Sequence, residues 1–115
     1  MTSRDESTER EALRRFDRAR EEFPRFHVLV EDCLRAYVRR VTLDLAAEQS
    51  LLPETLRAMC TEARTSGIRA EHVIVAIKNH WFALPEVREV ALGTLGLQLR
   101  SQLITYTLNE YYEGQ

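Results

Sequence analysis

Proline and glycine punctuate this chain sparsely, and where they fall limits the fold more than any other feature. Three prolines and four glycines occur in 115 residues, too few turn-formers for a meander of short strands or for a collagen-like or linker-like chain. Pro24, Pro53 and Pro85 each stand at the head of an apolar or helical pattern. A helix tolerates proline best there, because its first amides have no intrahelical acceptor to lose and the fixed φ of the ring is already helical. The chain reads as long helices restarted at prolines.

After Pro24, residues Phe26, Val30, Cys33, Leu34, Tyr37, Val41 and Leu45 recur at the helical period, on an arc of about 100°. They predict a helix over about 24–49, broken by Ser50, Leu51, Leu52 and Pro53. From Pro53 a shorter helix turns Leu56, Met59, Cys60 and Ala63 inward and stops at Gly67, a residue suited to a left-handed C-cap. The next helix, about Arg69 to Ala83, carries Val73, Ile74, Ile77, Trp81 and Leu84 on one stripe, with Val75 and Phe82 on the opposite side. Pro85 restarts the chain; residues 86–92 are helical in pattern, and Gly93 and Gly96 predict a break before the last element, 97–112. That element has one face of Leu99, Leu103 and Tyr106 and another of Leu97, Ile104, Leu108 and Tyr111. Ile104, Tyr106 and Leu108 alternating with Thr105 and Thr107 also suit a strand. Its length, and the want of a second strand to satisfy its amides, decide for helix.

Residues 1–22 contain six Arg and seven Asp or Glu, with Thr8 and Glu11 at capping-box spacing and Glu6/Arg10 and Glu11/Arg15 as i,i+4 pairs. A charged helix over about 8–22 follows, with a thin stripe of Leu13, Phe16, Ala19 and Phe23 that can dock on a core but not nucleate one. The first seven residues are expected to fray. The fold class expected is all-α: a compact bundle of five to six helices joined by short turns, a single helical domain over 1–115.

Sixteen basic and eighteen acidic residues leave a formal charge of −2, so no net basic field recruits nucleic acid or anionic lipid. Fifteen of the basic residues are arginine, spread among acids, and Lys78 is the sole lysine. Cys33 and Cys60 belong to no C-x-x-C pair and suit free thiols in a reducing cytoplasm better than a secreted framework, with a single bridge left open. The charged N-terminus, and a longest aliphatic run of only Val73 to Ile77, predict neither export signal nor membrane span.

Several constellations bear on chemistry. Ala63, Gly67, Ile68 and Val73 have roughly helix-turn-helix spacing, but the second helix displays Glu71, Val75 and Phe82 where base readout needs polar or basic side chains. Glu62 and Ser66 also occupy places that are apolar in that motif; a structural helical hairpin is the better reading. Arg35, Arg39 and Arg40 form the densest basic cluster, a possible anion or nucleic-acid patch, although Glu31 and Asp32 adjoin it. Gly93-Thr94-Leu95-Gly96 lacks the basic flanks of a backbone-clamping loop, and no phosphate-cradling glycine pattern occurs. No cofactor is implied. His27, His72 and His80 have no metal-ligand spacing, and His80 beside Trp81 suits a hydrogen-bonded packing residue. His27 and Glu31, one turn apart, have the form of a base with its orienting carboxylate, but no nucleophile shares their face and Cys33 lies within the apolar stripe.

Apolar helix faces are in surplus. Val75 and Phe82 lie opposite a core stripe, and the last helix has two apolar faces ending in Tyr111 and Tyr112. A domain this small has few helices with which to cover them. The expectation is a cytoplasmic, non-enzymatic interaction or regulatory module that meets a second copy or another protein through Val75, Phe82, Ile104, Leu108, Tyr111 and Tyr112. The alternatives are a nucleic-acid-binding regulator using Arg35, Arg39 and Arg40, and a ligand sensor or enzyme with a pocket near Trp81 and His80.

Overall fold

The computed structural model describes residues 21–90 and 93–113. Among them are five α-helices: α1 (Pro24–Leu43), α2 (Leu52–Thr65), α3 (Ala70–Ala83), α4 (Pro85–Val90) and α5 (Gly93–Glu113). One 3-10 turn, Ala47–Gln49, lies between α1 and α2, and no strand occurs among the described residues. The architecture is all-α. The charged helix predicted over 8–22 falls outside the described residues except for Glu21 and Glu22, which are helical.

All three proline starts fall where the sequence puts them: Pro24, Pro53 and Pro85 occupy the first turns of α1, α2 and α4. Gly67 also does the work expected of it. It has φ +74, the Ile68 amide reaches back to the Ala63 carbonyl at 2.8 Å and the Gly67 amide to Arg64 at 3.2 Å. Those bonds close the C-terminus of α2 as a left-handed cap, and buried Ile68 supplies its apolar seal.

Two boundaries differ from expectation. The helix predicted over 24–49 ends at Leu43, because Asp44 takes the left-handed conformation with φ 51 and Leu45 donates to the Arg40 carbonyl at 3.0 Å. Aspartate enters that conformation more readily than most residues, its short polar side chain bonding locally. Leu45 therefore leaves the α1 stripe, and Val41 and Leu43 are exposed. The break predicted at Gly93 and Gly96 is absent: α5 begins at Gly93. Both glycines fall in its first turns, where unpaired leading amides make poor helix formers least costly.

Every described helix contributes to one core. Val30, Leu34 and Tyr37 of α1 meet Met59, Cys60 and Ala63 of α2, Ile77 and Trp81 of α3, Val87 of α4 and Leu103 of α5. Each large aliphatic side chain so buried contributes about 1.5–3 kcal/mol. α1 bears on α2, α3 and α4, while α5 lies against α2 and α3.

Polar ties set the register of α5. The Tyr37 hydroxyl donates to the Leu99 carbonyl at 2.8 Å, with the Gln102 side-chain oxygen at the same distance. At the other end the Arg64 guanidinium donates to the carbonyls of Glu110 and Tyr111 at 3.3 and 3.1 Å. Those carbonyls belong to the last turn, which has no helical donors left, so Arg64 caps α5 and complements its dipole. Tyr111 closes the same corner by donating to the Ile68 carbonyl at 2.7 Å.

Candidate functional site

Two contacts fix how α3 and α5 run. The Arg100 guanidinium lies over the Phe82 ring at 5.4 Å, near the end of α3, and Tyr111 bonds Ile68 just before its start. The helices are antiparallel. Val75, midway between Ile68 and Phe82, is thereby level with the Ile104–Leu108 turn of α5. By the helical repeat, Leu97, Arg100, Ile104, Leu108 and Tyr111 fall within about 80° of one another. The α3–α5 seam thus carries an outward apolar row with Arg100 set into it.

The six residues expected at a partner surface divide into two groups. Val75, Phe82 and Tyr112 are 53%, 58% and 61% exposed, and Leu97 at 53% joins them. Ile104, Leu108 and Tyr111 are half-buried, Ile104 and Tyr111 packing against the core. Tyr111 is held by its own chain, through Ile68 and beneath the Arg64 guanidinium at 5.9 Å. Arg88 donates through Nε to the Phe82 carbonyl at 2.8 Å, capping the end of α3 beneath the exposed ring.

A second constellation is buried. His27 of α1 and His80 of α3 are 4% and 1% exposed, and Nδ1 of His27 lies 2.8 Å from Nε2 of His80. The Glu31 carboxylate stands 3.6 Å from Nδ1 of His80 with one oxygen and 3.7 Å from Arg35 with the other. A neutral His80 facing that carboxylate holds its proton on Nδ1, which leaves Nε2 to accept from His27. His80 is a hydrogen-bonded packing residue, as its place beside Trp81 suggests. Glu31 stands against His80. That His27 meets a residue 53 positions away has no local signal.

The pair is a poor metal cradle. Glu31 and His27 address opposite nitrogens of the His80 ring, so their donor atoms do not converge on one point. No group of three possible ligands occurs among the described residues.

No family model, curated protein or solved structure matches this chain.

The basic cluster is divided. Arg35 reaches Glu31, Asp32 and Glu86 at 3.7, 3.9 and 3.7 Å, whereas Arg39 is exposed. Arg40 turns to a cleft of about 300 Å³ between α1, α2 and α5, which it lines with Arg57, Tyr106, Asn109, Glu110 and Glu113 over Leu52, Pro53 and Leu56. Two arginines there face two glutamates. The cleft is remote in sequence from the His80–Trp81 segment and none of its lining residues belongs to α3.

No helix among the described residues is long and apolar enough to cross a membrane.

Proposed function

We propose that this protein is a non-enzymatic helical interaction module, cytoplasmic, whose working surface is the antiparallel α3–α5 face and whose partner is a second copy of itself. The observation that carries this reading is the exposure of Val75, Phe82 and Leu97, apolar side chains that a bundle of so few helices leaves uncovered. Two antiparallel helices with such a row are half of a four-helix arrangement, and a two-fold axis beside α3 sets Val75 of one copy against Phe82 of the other. Glu71 and Lys78, exposed on the same side of α3, supply both signs of charge to a self-complementary rim. Buried free thiols at Cys33 and Cys60 suit a reducing compartment.

Light scattering on the eluting peak of a sizing column, at micromolar concentration, is expected to give the mass of a dimer. Phe82→Asp is expected to give the monomer mass with unchanged helicity, because the side chain is more than half exposed and the new carboxylate meets Arg100. A monomeric wild type overturns the reading, and loss of helicity in the variant makes Phe82 a core residue.

A further inference from the structure

We propose that the cleft between α1, α2 and α5 is a binding site for a small zwitterion, an apolar α-amino acid held by its carboxylate and its ammonium group together. The cleft encloses about 300 Å³, the small end of the range that ligand sites occupy. Buried Leu52 and Leu56 line it together with exposed Pro53 and half-buried Tyr106. An aliphatic side chain that enters among them leaves water for an apolar surface, which favours binding.

Four ionised side chains line the same space, two of each sign: Arg40 from α1, Arg57 from α2, and Glu110 and Glu113 from α5. Tyr106, Glu110 and Glu113 stand at i, i+4 and i+7 and so share one stripe of α5. Among the described residues none of the four charges is taken up by an ion pair.

That balance selects the ligand. A simple anion is drawn by the arginines and repelled by the glutamates, and a simple cation meets the reverse. A molecule with both charges is attracted by both pairs. Arginine receives a carboxylate through two parallel N–H groups, and a carboxylate side chain accepts from an ammonium. None of Val75, Phe82, Ile104, Leu108, Tyr111 and Tyr112 lines the cleft, so occupancy of the site does not require self-association.

Amide NMR of the full chain, titrated with L-leucine, tests this. The expected result is a saturable shift centred on residues 52–57 and 106–113, with a Kd of about 1 mM or tighter. Two analogues separate the charges: 4-methylpentanoate lacks the ammonium and 3-methylbutylamine lacks the carboxylate, and each is expected to bind about tenfold more weakly. Arg57→Gln and Glu113→Gln, both at exposed positions, should each weaken leucine about threefold to tenfold, whereas Arg39→Gln, exposed and outside the cleft, should leave it unchanged. No saturation up to about 10 mM overturns the proposal, and so do shifts centred elsewhere. Binding of either analogue as tight as that of leucine also overturns it, because one pair of charges would then serve alone.

Discussion

Cys33 on α1 and Cys60 on α2 are both buried and both free, and the core changes what their sulfurs can do. Burial pushes the Cys33 thiol up to about 12, opposed by a hydrogen bond with Thr55 and assisted by Cys60 and Asp32. Cys60 is pushed up to about 11, again mainly by burial, with Glu110 raising it and Arg64 lowering it. Since the thiolate is the reactive form, neither sulfur should react with an aromatic disulfide reagent at pH 8 in the native protein, and both should react in denaturant. The rate without denaturant is expected to track opening of the core, and prompt reaction of either thiol would show that it is not held as described. Tyr37 behaves alike, its phenol pushed up to about 12 by burial, then by Tyr106, against the lowering effect of Arg40. All three groups keep protons in the fold that the unfolded chain loses above pH ~9. Stability therefore falls as pH rises through that range.

Each helix is held by what closes its ends as well as by its stripe. Arg64 is the main device on α5, bonding two last-turn carbonyls and covering Tyr111. Arg64→Ala is expected to lower stability by about 1–2 kcal/mol in urea unfolding, with faster amide exchange confined to the last turn of α5 and the Ile68 corner. Exchange unchanged there would mean that Tyr111 alone secures the end. The same end devices explain which boundaries could be read from sequence. α2 and α3 are bounded by Pro53, Gly67 and Pro85, whose backbone preferences are intrinsic and local, so their extents were legible to within a residue or two. α1 stops at Asp44, a left-handed residue that is not glycine, and the apolar period continuing to Leu45 masks it. α5 starts at Gly93 because glycine is tolerated in a first turn, where residue type alone suggests a stop. His80 borders a readable stripe and His27 reads as a base facing Glu31; the hydrogen bond between the two histidines depends on how α1 crosses α3, which no local pattern encodes.

At the scale of the molecule, one core built from five described helices leaves Val75, Phe82 and Leu97 exposed, and the dimerisation proposed through them has a thermodynamic signature beyond mass. A dimer binds its copy only when folded, so mass action adds stability that grows with concentration. The midpoint of thermal unfolding for wild type should rise by several degrees between about 1 and 100 μM, since for a domain of this size 1 kcal/mol corresponds to ~4–8 °C. Phe82→Asp should abolish that dependence, its midpoint staying constant across the range and falling furthest below that of the wild type at the concentrated end. This separates the face from the core: Phe82 is 58% exposed while the adjacent Trp81 is 4% exposed. A substitution at Trp81 would depress the midpoint equally at every concentration, whereas one at Phe82 should flatten its concentration dependence. A wild-type midpoint independent of concentration over that range would leave the exposed row without a second copy to cover it.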